Sequence, residues 1–463
     1  MVARYARFLR RKQWFTFLPF LMFCATAVFC AQTVIRYLSF AEAAETLQLF
    51  ADSGLAGSDI ADSAAWDLWI RKQDELVRAR IDRGIEDSIS NLILYGTAYT
   101  NLPRLGSAEG AAVEGGGLSE EARARVRSLV VALGRPSPNE RIQMVLDFLK
   151  RKGITREKAE GFLTENLSRF AEEQRAYQQT LSEAERSGSL DEKNFTRGTL
   201  YQNRGLSADT SLLVNYALED TLRALSNRGL LAEGKVRRIA IIGPGLDFTN
   251  KHNGYDFYPL QTIQPFAVME TAIRLKLAKA DEVEVVTMDL NPAVNAHIAK
   301  LARDARAGRP YTVQLPRDAD TDWPKGAVAF WEQFGDVIGE PVKPLPVPQA
   351  LGGVTLRAVA IAPRYAARVT PLNLNVVAQR AEFEKGQLFD LVIATNILVY
   401  YDRFGQALAM ASIASMTKPG GVFLTNDALS LHHVRSLELV DRHAVSYAAS
   451  GPYGDNVLAY RLR

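Results

Sequence analysis

Two glycines flank a proline in the stretch RIAIIGPGLDF, Arg238 to Phe248, giving Gly243, Pro244 and Gly245 at the end of an apolar run. A strand that enters such a turn brings its backbone close to a ligand, because glycine adopts positive φ without steric cost and proline fixes the bend. A second apolar run, VVTMDLNP, ends in Asp289. A carboxylate at the tip of the neighbouring strand can accept hydrogen bonds from both hydroxyls of a ribose. The same residue could cap the next helix, with Asn291 and Pro292 starting it, and the two roles are compatible. A dinucleotide fingerprint needs a third glycine at position 248, where this chain carries Phe248, which weakens the case for NAD.

Polar and aromatic residues crowd the link after the turn, TNKHNGYDFYPLQTIQPF, above all Tyr255, Asp256, Tyr258 and Gln261. Surface loops with such side chains often carry function, so this one is expected to form a lid over the ligand or a second substrate. Further on, FDLVIATNILVYYD supplies Asn396, Tyr400 and Tyr401. Candidate proton acceptors are Asp427, His432, His433 and Asp256. Lone histidines more commonly serve packing or the surface.

These residues need elements to position them. From Val236 onward apolar strands alternate with helices: RRIAIIG, AVMETAIRLKLAKA, EVEVVTMDL, AVNAHIAKLARDARAG, LRAVAIA, FDLVIATNIL, FGQALAMASIASMT and GGVFLTND. This alternation predicts an α/β fold, a doubly wound, mostly parallel sheet with helices on both faces. IAIIG and LVIA are apolar at every position, as central parallel strands must be. HAVSYAA and NVLAYRLR have no helix between them and are expected to pair as an antiparallel hairpin at one edge. Upstream, residues 37–105 and 118–230 read as helical, with a glycine-rich loop over 106–117 between them. Trp66 and Trp69 fall on the core side of the first helical stretch. SADTSLLVNYALEDTLRALSNRG opens on a Ser/Asp cap and ends directly before the glycine turn.

With GPG, DLNP and FDLVIATNILVYYDRFGQALAMASIASMTKPGGVFLTND in place, residues 231–463 resemble the class I S-adenosylmethionine-dependent methyltransferases. The last segment looks most like the chemotaxis-receptor glutamate methyltransferase branch. The resemblance implies a Rossmann-like methyltransferase domain with a seven-stranded sheet and S-adenosyl-L-methionine as cofactor. It implies that Gly243, Pro244 and Gly245 face the methionine part, Asp289 the ribose and Leu290 the adenine. Asn373, in LNLN, would approach the adenine edge where many members carry an acid, and Asn396 would face the carboxypropyl part or the acceptor. Tyr400 is a candidate on the acceptor side, against a reading of Tyr400 and Tyr401 as packing residues. The chain departs from the pattern at Ile241, where an acid is common, and at Asp247, which would bind the cofactor ammonium or cap a turn. The long link is a third departure.

Composition bounds the partners. The chain has 463 residues, 47% hydrophobic and 23% charged, as in folded proteins. Its net charge of +3 hides a cluster of five cations, Arg4, Arg7, Arg10, Arg11 and Lys12, ahead of the uncharged run. The remainder is near neutral and lacks a basic stripe, which argues against nucleic acid. Cys24 and Cys30 are the only cysteines, so the body holds neither a disulfide framework nor a cysteine-based zinc site. No metal is expected. The uncharged run Trp14–Ala31 predicts a membrane anchor or a cleaved signal within residues 1–36, with a buried helix as a third reading. The expected location is the membrane, side open, or the secreted or periplasmic space after cleavage.

That placement conflicts with the cofactor, which is not expected outside the cytoplasm. The anchor could insert the other way, the first residues could be untranslated, or the domain could be a membrane-linked module that has lost the methyl donor. Another adenosyl-ligand transferase, such as an aminopropyl type, is a further reading. Neither the methyl acceptor nor the oligomeric state is set by the sequence.

Overall fold

The computed structural model describes residues 33–51, 60, 62–106, 111, 117–187, 201, 204–248, 255–384, 386–427, 436–450 and 453–463. The apolar run Trp14–Ala31, much of the loop over 106–117, the first part of the link after the glycine turn, and His432 and His433 lie outside the described residues. Among the described residues no helix is long and apolar enough to cross a membrane.

Strand β1 (Val34–Tyr37) leads into helices α1 (Phe40–Ala51), α2 (Ser63–Tyr95), α3 (Glu120–Leu133), α4 (Glu140–Arg151), α5 (Arg156–Ser187) and α6 (Leu212–Asn227). Side chains set several of the starts: Asp62 accepts from the backbone of Ala64 and Ala65, Ser119 from Ala122 and Asn139 from Arg141. Each such cap stabilises its helix by about 1 kcal/mol. Helices α2 to α5 share an apolar cluster that includes Ile89, Leu92, Val126, Leu129, Phe148 and Leu163. Trp66 is fully buried, donates its indole N–H to the Leu38 carbonyl at 2.7 Å and stacks on Trp69 with ring centroids 5.3 Å apart. Trp66 is a core residue, as expected, and Trp69 packs against that core partly buried.

The second part comprises β2 (Arg238–Ile242), α7 (Gln264–Arg274), β3 (Glu284–Asp289), α8 (Pro292–Arg306), β4 (Tyr311–Asp318), α9 (Lys325–Gln333), β5 (Gly339–Val342), β6 (Val354–Ile361), α10 (Pro363–Ala366), β7 (Val369–Asn373), β8 (Gln379–Glu382), β9 (Phe389–Ala394), α11 (Arg403–Met416), β10 (Thr417–Thr425), β11 (Leu437–Ser446) and β12 (Gly454–Leu462). A seven-stranded sheet has the order β11-β12-β10-β9-β2-β3-β7, with β7, β3, β2, β9 and β10 mutually parallel. This fits the methyltransferase-like α/β fold that the sequence resembles. The side-chain period of a strand explains why β2 is apolar throughout. Ile239 and Ile241 enter the cluster under α6, α7 and α8, while Ala240 and Ile242 enter the one under α1, α2 and α11.

One expectation needs correction. LRAVAIA is not a strand of the main sheet; it is β6, the middle strand of a separate antiparallel sheet ordered β4-β6-β5. The main sheet takes β7 instead, whose Pro371 disguises it and is tolerated because β7 lies at the edge. The hairpin of β11 and β12 lies at one edge of the sheet, as expected, with β11 outermost and β12 between β10 and β11, antiparallel to both. Burial explains the choice: Val457 to Tyr460 are all buried, whereas β11 presents Glu438 and His443 outward in part. A charged outer strand protects a sheet edge.

Residues Val34–Arg463 form a single compact unit. Phe248 and Leu260, on the far side of the glycine turn, pack into the cluster of α2 to α5.

Candidate functional site

The glycine turn is built as the sequence suggests. Gly243 and Gly245 both have φ of +66°. The Gly243 N–H donates to the Met288 carbonyl at 2.8 Å, tying the turn to β3. Neither position has room for a side chain: a β-carbon on Gly243 would lie 2.1 Å from Ile397 Cδ1, and one on Gly245 would lie 2.5 Å from the Ala208 carbonyl oxygen. Ala208 belongs to a strap, Arg204–Ser211, that crosses the turn; its carbonyl also accepts from the Leu246 N–H at 2.7 Å.

A cleft of about 940 Å³, its open mouth included, lies at the carboxyl ends of β2, β3 and β9. The strand order reverses between β2 and β9, the place where doubly wound sheets bind ligands. Of the residues singled out from the sequence, Gly243, Gly245, Asp289, Leu290, Asn396 and Tyr400 line this cleft. Pro244, Asp247 and Asn373 do not.

Asp289 is partly buried. Its Oδ1 accepts from the Asn291 N–H at 2.8 Å, and the N–H groups of Gly245 and Leu290 also donate to its carboxylate. Burial pushes its carboxyl up to about 6 despite those donors. The helix cap itself is Asn291, which accepts from the Ala293 N–H at 2.9 Å. Asp289 therefore joins the glycine turn to the tip of β3 and keeps further lone pairs for a ligand.

Asn373 is opposite Asp289 in the β3–β7 register, but its side chain is exposed and accepts from Arg78 Nη1 at 2.7 Å. Leu374 and Val376, just beyond it, reach the cleft. Asn396 has φ of +56°, a left-handed backbone that Asn tolerates better than most residues. Its N–H donates to Asn426 Oδ1 at 2.7 Å, and Gln264 Nε2 holds the adjacent Thr395 Oγ1 at 3.0 Å. Asp427 is buried and accepts from the Ile397 N–H at 3.1 Å and the Leu398 N–H at 2.7 Å. It fixes the backbone after β9 and is not a proton acceptor facing the cleft.

The four residues expected in a lid lie away from the cleft. Tyr255, Asp256, Tyr258 and Gln261 are all at most 2% exposed, and none lines the cleft. Asp256 Oδ1 accepts from the Thr97 N–H and hydroxyl, both at 2.8 Å. The Tyr258 hydroxyl and Gln261 Nε2 donate to Asp247 Oδ2 at 2.8 and 3.0 Å. Arg141, itself buried, donates to the carbonyls of Phe248, Tyr258 and Asp247. Burial raises the Asp247 carboxyl against the pull of Arg141. These side chains bind the link to the helical cluster and the β4-β6-β5 sheet, so Asp247 and Asp256 meet neither ligand nor acceptor in the cleft.

Sequence reasoning missed the roof. Leu206 to Ser211 line the cleft from above, together with Ile81 of α2. The one signal was the polar SADTS segment directly before α6. Among the described lining residues the charged side chains are Asp209 and Asp289, and none is lysine, arginine or histidine.

No protein-family model matches the chain. No curated protein matches it either. Among solved structures, it is similar to the N-methyltransferase NodS from Bradyrhizobium japonicum WM9, at 12% identity over 54% of this chain and 96% of the other, with a TM-score of 0.27. It is similar to magnesium protoporphyrin IX methyltransferase (ChlM) from Synechocystis PCC 6803 with bound SAM, at 10% identity over 59% and 85%, with a TM-score of 0.24. A third such structure is the glycopeptide N-methyltransferase MtfA, at 9% identity over 53% and 90%, with a TM-score of 0.26. At such scores the fold assignment rests on the strand order of this chain.

Proposed function

We propose that the cleft binds S-adenosyl-L-methionine and that the protein transfers its methyl group to an acceptor. The observation that carries this reading is the path of the chain after the glycine turn. A dinucleotide site places a helix N-terminus directly after the turn to hold the diphosphate. Here Phe248 is buried in the helical cluster and the next helix begins only at Gln264. The described lining also pairs two carboxylates with no cationic side chain. That surrounding disfavours a diphosphate and suits a cationic sulfonium.

The residues fit such a ligand. Gly243 and Gly245 present bare backbone at the cleft wall to the methionine part, Asp289 offers acceptors to the ribose, and Leu290 offers an apolar wall to the adenine. When bound, the sulfonium supplies an activated methyl group. The task of the chain is to hold a nucleophile in line with it and to exclude competing water. Burial keeps the hydroxyls of Tyr400 and Tyr401 protonated, well above the usual tyrosine range, so they act as donors or packing surfaces. The motif likeness to the chemotaxis-receptor branch makes protein glutamate side chains one acceptor class to assay.

The alternative of a non-enzymatic module drew on Ile241, Asp247 and Asn373. None of the three lines the cleft, so they do not count against the cofactor. Calorimetric titration of S-adenosylmethionine and S-adenosylhomocysteine into the full chain tests the proposal. Micromolar binding is expected; a folded protein that binds neither overturns it.

A further inference from the structure

The roof strap Arg204–Ser211 is fixed by one side chain of α2. Arg80 Nε donates to the Arg204 carbonyl at 3.0 Å and Nη2 to the same oxygen at 2.7 Å. Nη2 also reaches the Tyr201 carbonyl at 3.2 Å, and Nη1 the Tyr400 carbonyl at 2.9 Å. One planar guanidinium thus joins two segments, around Arg204 and Tyr400, that are remote in sequence and that both contribute to the cleft lining, through Leu206–Ser211 and Tyr400. Burial lowers the Arg80 pKa, and these four hydrogen bonds all run to main-chain oxygens. A half-buried cation held by carbonyls is a poor source of stability and a good source of geometry, because the fork of donors fixes direction as well as distance.

Neighbouring contacts agree. The Leu206 N–H donates to the Arg80 carbonyl at 3.2 Å. One turn along α2, a β-carbon on Gly84 would stand 1.9 Å from the Leu206 carbonyl oxygen, and one on Gly205 would stand 2.2 Å from the Gly84 nitrogen. Strap and helix therefore cross at backbone contact. Beyond the crossing, the Ser207 N–H donates to the Tyr400 hydroxyl and the Ser88 hydroxyl donates to Asp209 Oδ2 at 3.2 Å.

We infer that Arg80 is a positioning residue for the adenosyl ligand: it holds the strap and the Tyr400 loop at the spacing that encloses the ligand, and so governs how long the ligand stays. This role rests on the cofactor reading of the cleft.

The test measures S-adenosylhomocysteine affinity and dissociation rate on the full chain. Arg80→Ala is expected to raise Kd at least 10-fold, mainly through faster dissociation, with partial recovery on adding free guanidinium. Arg169→Ala breaks the ion pair that ties α5 to Asp87 of α2 and serves as a control for general loosening of α2. It is expected to leave the dissociation rate within about twofold. If Arg80→Ala does not fold, Arg80→Lys keeps the charge but loses the fork, and is expected to give an intermediate rate. Unchanged dissociation in a folded Arg80 variant, or equal loss in Arg169→Ala, overturns the inference alone. A wild-type chain that binds no S-adenosylhomocysteine overturns the cofactor reading and this inference with it.

Discussion

Gly245 and Ala208 meet across the turn so closely that a β-carbon on the glycine would intrude to 2.5 Å from the alanine carbonyl oxygen. The contact involves backbone on both sides, so no side-chain rotation relieves it. Gly245→Ala should cost about 3 kcal/mol through strain at positive φ plus the displaced strap. Gly229→Ala is the comparison, since Gly229 has φ of +70° but open space around it. That change should cost only about 1 kcal/mol. Thermal melts of the two variants check the difference, and equal losses would assign no role to the strap.

Asp289 predicts a pH dependence of ligand binding. Its carboxyl titrates near pH 6 in the fold, and only the ionised form offers all its oxygen lone pairs to ribose hydroxyls. Affinity for S-adenosylhomocysteine should fall as pH drops from 7.5 to 5. In Asp289→Asn the affinity should be lower throughout and flat over that range. A wild-type profile that stays flat would detach Asp289 from the ribose.

Glu270 predicts the pH dependence of stability. It is 1% exposed, accepts the Gly335 N–H, and burial pushes its carboxyl up to about 7. The folded state holds this proton more tightly than the unfolded chain, where a glutamate titrates near roughly 4.3. The contribution is therefore fully present below the unfolded value and is lost as pH rises through about 7. Unfolding free energy should fall across that window by an amount on the order of 1–3 kcal/mol. Glu270→Gln should make the slope between pH 5 and pH 8 shallower in denaturant titrations, leaving the share of other raised carboxyls such as Asp289.

Asp256 separates the lid reading from the one found. With four hydrogen bonds from Thr97 and Ala98 to a buried carboxylate, Asp256→Ala should destabilise the protein by about 2–4 kcal/mol. Ligand affinity of the folded fraction should stay within about twofold. A large loss of affinity with normal stability would restore the lid.

The sheet and the turn were legible because periodicity and glycine chemistry are local signals. Ile239 to Ile242, Gly243, Gly245 and Asp289 could be placed from a few residues of context each. β7 was not, since Pro371 in a five-residue edge strand imitates a loop. The roof was not either, because Ile81, Arg80 and Leu206 meet only through the crossing of α2 and the strap. The link was misread for a further reason: Tyr255, Tyr258 and Gln261 look the same in sequence whether their polar atoms face a ligand or, as found, Asp318, Asp247 and Gln314.

Val34–Tyr37 pairs with Gln379–Glu382, and Arg36 bridges Glu42 and Glu382 across the join. In kinetic terms this two-stranded clasp is among the costlier contacts of the described residues to reach. The loop it closes spans most of the chain, so it forms only after the large sheet has already brought β8 into place. With four residue pairs and an exposed partner, it is also the first to open. Hydrogen exchange should therefore find this pair at the low end of protection and the parallel strands β2 and β9 at the high end, on opposite sides of the same fold.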